Sequence, residues 1–91
     1  MAVVAEVFKI DHEHVLKSLQ ECEDKVRDPQ GELLLDFTTV EKLDTSSLRE
    51  LEKLAFIMEK HKAKLVLRGV NVSLYKVLKL ARLTDHLRFV L

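Results

Sequence analysis

Gly31-Glu32-Leu33-Leu34-Leu35-Asp36-Phe37-Thr38-Thr39-Val40-Glu41-Lys42-Leu43-Asp44-Thr45-Ser46-Ser47-Leu48 is the stretch on which the fold turns. Leu33 to Leu35 is a short, continuous apolar run. Such a run predicts a central strand covered on both faces. Asp44, Thr45, Ser46 and Ser47 are residue types that cap helices. Ser47 followed by Glu50 fits a capping box, so a helix is expected to open at this point. Hydroxyl groups are then expected beside the free amide groups of a helix N-terminus.

Before this stretch, Val3, Val4, Val7, Phe8 and Ile10 predict a strand within Ala2–Ile10. Asp11 is placed to cap the first helix. Val15, Leu16, Leu19, Cys22 and Val26 recur at helical spacing. Pro29 ends that helix, because the residue before a proline avoids helical geometry, and Pro29-Gln30-Gly31 reads as a turn.

After the stretch, Leu48, Leu51, Leu54, Ala55 and Met58 form the stripe of a second helix, with His61-Lys62 near its end. Lys64 to Arg68 repeats the pattern of a short buried strand, and Gly69 breaks it. Asn71 or Ser73 caps a third helix carrying Leu74, Val77, Leu78 and Ala81. Leu83-Thr84-Asp85 turns the chain into a final edge strand over Leu87–Val90. Strands alternating with helices imply an α/β layer fold. The expected architecture is one domain over residues 1–91, with a small, mostly parallel (mixed) sheet of about four strands and three main helices. In such sheets function gathers where strands end and helices begin.

Composition narrows the field. At 91 residues the chain is one domain, and 47% apolar with 33% charged residues is a globular balance. Fifteen basic residues offset fifteen acidic ones, so overall charge gives no footprint for nucleic acid or an anionic membrane. No apolar run approaches the roughly 20 residues of a membrane span, and Met1–Ile10 lacks the pattern of a signal peptide. The single cysteine, Cys22, has no internal disulfide partner, which points to the cytoplasm.

Few residues suggest chemistry. His12 and His14 flank Glu13 at a spacing of two, and helical metal ligands want three or four. No metal or cofactor is expected. Cys22 lies on an apolar helix face and reads as a small hydrophobe. Neither glycine belongs to a phosphate-cradling loop. An enzyme or nucleotide binder built on Ser46 needs a base beside it, and the sequence places none there.

Three segments resemble the STAS family, the module shared by sulfate transporters and anti-sigma factor antagonists. Leu34 to Asp44 resembles that family's strand and loop, and Asp44-Thr45-Ser46-Ser47 sits at its Asp-Ser-Ser-Gly signature. Lys64 to Val70 resembles the next strand and glycine turn. Val77 to Leu87 resembles the closing helix, loop and strand. The likeness covers Leu33 to Val90.

The resemblance implies a STAS-like fold and protein binding without catalysis. In the antagonist branch the second serine of the signature is phosphorylated by a kinase that is also the anti-sigma factor. By position that residue is Ser46, with Thr45 and Ser47 as alternatives. The implied partner surface is Asp44, Thr45, Ser46 and Ser47 with Arg49, Glu50 and Lys53. The implied partner is an anti-sigma factor or serine kinase-like protein. Alternatively it is the ATPase of an ABC lipid transporter or a sensory assembly, bound without phosphorylation. Ser47 replaces the family's glycine, and Arg49, Glu50, Glu52 and Lys53 make the surface more polar. The family usually begins with two strands, and this chain has room for about one. An open sheet edge then invites pairing with another chain, a second copy included.

Overall fold

The computed structural model describes residues 5–26 and 31–90. Strands and helices alternate as β1 (Ala5–Lys9), α1 (Val15–Lys25), β2 (Glu32–Asp36), α2 (Thr45–Lys60), β3 (Lys64–Arg68), α3 (Val72–Leu80) and β4 (Arg88–Val90). A 3-10 turn, Thr84–His86, precedes β4. The expected start of the first strand, Ala2 to Val4, and Pro29-Gln30 lie outside the described residues.

All the described pairings are parallel, in the order β1-β2-β3-β4, so the expected mixed sheet is wholly parallel among the described residues. Each strand pairs with the next in sequence, and a helix makes every crossover. Right-handed crossovers that advance in one direction leave their helices on one face. The core obeys this. Leu33, Leu35, Leu65 and Leu67 share one buried cluster with Leu19 and Cys22 of α1, Leu51, Leu54 and Met58 of α2, and Leu74 and Leu78 of α3. Register aligns Phe8, Leu35, Leu67 and Phe89 in one row on this face.

One-sided coverage corrects the reading of the Leu33–Leu35 run. Leu33 and Leu35 are buried, but Leu34 points to the other face and is only half-buried. The strand buried at three successive positions is β3, at Leu65, Val66 and Leu67.

The helix starts also differ in part from expectation. Asp44 caps α2, and its carboxylate accepts from the Ser47 amide at 2.7 Å. Ser47 is therefore inside the helix, and the Ser47–Glu50 capping box does not form. Asp11 does not cap α1 either. It accepts from the Glu13 amide at 3.0 Å in a turn before the helix, and His14 holds the cap position without a side-chain bond. Asn71, rather than Ser73, caps α3 through the Leu74 amide at 2.8 Å. Cys22 is fully buried, and that burial pushes its thiol up to about 12.

Gly69 ends β3 with φ +73°, and a Cβ there would lie 2.6 Å from the Thr38 hydroxyl and 3.0 Å from the Thr38 Cα. The close approach locks the loop after β2 to the loop after β3. Gly69→Ala is expected to lower unfolding free energy by at least about 1–2 kcal/mol from the left-handed backbone alone. Urea denaturation checks this, and an unchanged midpoint would contradict both the left-handed backbone at Gly69 and its close approach to Thr38.

Candidate functional site

The three loops at the carboxyl ends of β1, β2 and β3 converge at one end of the sheet. Asp36, the last residue of β2, organises them. Its carboxylate accepts from the Thr38 amide at 2.9 Å, from the Thr38 hydroxyl, and from Arg68 Nη2 at 2.9 Å. These bonds, those of Thr38 first, hold the Asp36 carboxyl at about 2. Phe37 donates its amide to the Arg68 carbonyl at 2.8 Å, and Phe37 and Val40 are buried. Asn71 Nδ2 reaches the Val40 carbonyl at 3.4 Å. The loop is thus tied to the sheet at its start and to the α3 cap midway, before half-buried Leu43 leads into α2.

Asp44 then takes an extended backbone, φ −81° and ψ 174°, and its carbonyl accepts the first helical bond from Leu48 at 2.9 Å. The bond from the Ser47 amide, with help from the Ser47 hydroxyl, lowers the Asp44 pKa. Thr45 and Ser46 are exposed in the first turn, whereas Ser47 is 2% exposed. Ser46 therefore presents its hydroxyl outward, and Ser47 turns inward onto the stripe of Leu51, Leu54, Ala55 and Met58.

The remaining residues of the expected partner surface separate. Arg49 is exposed beside the first turn. Glu50 instead faces α1, where its Oε2 is buried with no hydrogen-bond partner. Burial first, then the Glu23 carboxylate, raises the Glu50 pKa. Lys53 is tied to Glu23 at 3.1 Å. Asp44, Thr45, Ser46 and Arg49 thus form one outward patch, while Glu50 and Lys53 engage the α1–α2 seam.

Beside the patch, His12, His14, Lys17, Lys42 and Asp44, with Val15 and Leu16, line a groove of about 500 Å³ between the starts of α1 and α2. No cluster of three or more histidine, cysteine or acidic side chains with metal-holding geometry occurs among the described residues.

Two pairings escaped the sequence reading. His86 Nδ1 lies 2.9 Å from the Glu59 carboxylate, 27 positions away. That bond raises the His86 pKa. Asp36 and Arg68 are cross-strand partners. The signal for the second was present. Leu33-Leu34-Leu35-Asp36 and Leu65-Val66-Leu67-Arg68 are equal apolar runs ending in opposite charges, and parallel register sets them side by side.

A family model described as STAS domain matches residues 3–91. The chain belongs to the STAS domain family. The match reaches beyond the Leu33–Val90 likeness to β1 and α1, and the α/β fold of three helices and four parallel strands is consistent with it. STAS domains are in general non-enzymatic modules that mediate protein–protein interactions. A search of curated proteins found no match. No described helix of this STAS domain is long and apolar enough to cross a membrane.

Asp44→Ala is expected to cost about 1 kcal/mol of stability, the usual worth of a helix N-cap, as read by thermal or urea unfolding. The Glu59–His86 pair has a defined pH signature. The folded pKa of His86 is raised, so the stability it adds is present below the ordinary value of 6.5 and is lost as pH rises through the raised one. An NMR titration of Glu59→Gln should show the His86 pKa lowered toward its ordinary value, with Asp85 and Glu52 still raising it. An unmoved pKa would show that the contact does not persist in solution.

Proposed function

We propose that this STAS domain is a cytoplasmic protein-binding switch of the anti-sigma factor antagonist type, controlled by phosphorylation at Ser46. The unmodified form binds a serine kinase-like anti-sigma factor through Asp44, Thr45, Ser46 and Arg49. Phosphorylation of Ser46 releases that partner. The observation that carries this reading is the exposed Ser46 hydroxyl on a capped first turn, anchored by buried Ser47. Ser47, which stands where the family has glycine, faces inward and leaves approach to Ser46 open. Its burial favours Ser46 over Ser47 as the acceptor, and Thr45 remains exposed.

The energetics suit a switch. A phosphoserine brings about −1.5 to −2 charges. Near a helix N-terminus that charge is tolerated, worth roughly 0.3 to 1 kcal/mol in favour of the fold. In a partner interface an uncompensated buried charge costs about 3–5 kcal/mol. Each ~1.4 kcal/mol is tenfold in affinity, so one phosphate is enough to part the two proteins.

One observation favours a second reading. The Ser47 amide, a natural donor to an incoming anion, is already taken by the Asp44 carboxylate, and a carboxylate repels phosphate. A constitutive STAS subunit docked on an ABC transporter ATPase, with no phosphorylation, needs no such donor.

Ser46→Asp is expected to weaken partner binding by about tenfold or more while leaving the melting temperature unchanged or slightly raised. Equal binding by wild type and Ser46→Asp removes Ser46 from the mechanism. Incubation with a serine kinase-like anti-sigma factor and ATP, followed by intact-mass measurement, separates the two readings. One added phosphate, lost in Ser46→Ala, supports the switch, and no added mass supports the constitutive subunit.

A further inference from the structure

The zero net charge conceals a segregation along the chain. Residues 1–59 hold fourteen acidic and seven basic side chains, whereas residues 60–91 hold eight basic and one acidic. Strand order follows chain order, so this becomes a segregation in space, with the positive side at β3, α3 and β4. Among the described residues, Lys76, Lys79 and Arg82 have no acidic partner within ion-pair distance.

The exposed apolar side chains gather on the same side. Seven large ones are exposed among the described residues, and five of them, Val72, Tyr75, Val77, Leu80 and Val90, belong to α3 and β4. Leu80 is 85% exposed and Val72 72%. Scattered exposed apolar residues need no explanation, but a cluster marks a contact surface. Three of the five, Val72, Tyr75 and Val90, border a concavity. Val70, Val72, Tyr75, Phe89 and Val90 line an apolar groove of about 270 Å³. Tyr75 and Phe89 meet there edge to face, with ring centroids 5.2 Å apart. β4 borders the groove as an edge strand, its outer side unpaired among the described residues. Lys76 and Lys79 stand one helical turn beyond Val72 and Tyr75.

We propose that this α3–β4 flank is a second docking surface, which takes an acidic polypeptide segment of a partner protein anchored by an apolar side chain in the groove. Charge selects the occupant. A second copy meeting this flank with its own α3 would oppose lysine to lysine. An acidic segment answers Lys76, Lys79 and Arg82 together, and its backbone has the β4 edge to extend. The concave, ring-lined groove fits an inserted side chain of a protein better than it fits a lipid surface. None of the residues lining this groove belongs to the Asp44, Thr45, Ser46 and Arg49 patch.

The test begins with selection of a phage-displayed random dodecapeptide library on the wild-type protein. The enriched peptide is then synthesised and titrated, with ¹⁵N NMR to locate it. The expected peptide carries acidic residues around a leucine, isoleucine or phenylalanine, and it shifts amides of Val70 to Tyr75 and of Phe89 and Val90. Its affinity falls with added salt and drops about tenfold or more in the Lys76→Glu, Lys79→Glu double variant, as for loss of close charge pairs. Both substitutions are at exposed helix positions, and circular dichroism checks that the fold is kept. Ser46→Asp leaves this binding unchanged whichever reading of Ser46 holds. No enrichment, a peptide without acidic residues, or shifts elsewhere would overturn the proposal. So would lysine-dependent co-sedimentation with phosphatidylglycerol vesicles in place of peptide binding, which would assign the flank to a membrane.

Discussion

The Asp44 carboxylate meets the Ser47 amide at 2.7 Å, and the outward face of the domain depends on that contact. It fixes the first turn of α2, whose rotation is set by the apolar stripe that packs on the sheet. With Asp44 as the cap, Ser47 falls on the buried stripe and Ser46 one step off it, toward water. The cap is itself held by the sheet. Asp36 gathers Thr38 and Arg68, Gly69 lets Thr38 approach within van der Waals range, and Asn71 grips the Val40 carbonyl. A short loop pinned at these points delivers Asp44 to one place.

The same topology that positions the cap divides the surface. A parallel sheet laid down in chain order keeps the first half of the sequence at one edge and the second half at the other. The acidic half holds the groove and first turn around Ser46. The basic half holds α3 and β4 with their exposed apolar residues. A four-stranded sheet with helices on one face has little core to spare for α3. Only Leu74 and Leu78 of that helix are buried. The price of such economy is an uncovered flank with lysines along it.

Much of the fold is legible in residue order because burial imposes it. The apolar triplets of β2 and β3 stand between charged residues, and the stripes of α1 and α2 recur at helical spacing. The helix starts are less legible for a physical reason. Asp44, Thr45, Ser46 and Ser47 are all competent caps, so local chemistry does not choose among them. The choice is made by the core, since Ser47 extends the Leu51, Leu54, Ala55 and Met58 stripe backward by one turn. Both α2 and α3 end on a left-handed residue that is not glycine, Lys62 and Arg82. The Ala63 and Leu83 amides then bond back to the Met58 and Leu78 carbonyls, an ending that side chains of this kind do not announce. Glu50 lost its place on the outward patch because α1 crosses beside it, and Glu23 is not near it in sequence. The overall charge balance was a poor guide, since a sum discards where each charge stands.

Amide hydrogen exchange at the head of α2 tests the central claim most directly. In the unmodified protein the Ser47 amide is expected to be protected near neutral pH while the Ser46 amide exchanges faster. Protection of Ser47 should fall in Asp44→Ala and as acid titrates Asp44. If Ser47 exchanges as fast as Ser46 in the wild type, the first turn is not held by Asp44, and the fixed outward placement of the Ser46 hydroxyl is contradicted.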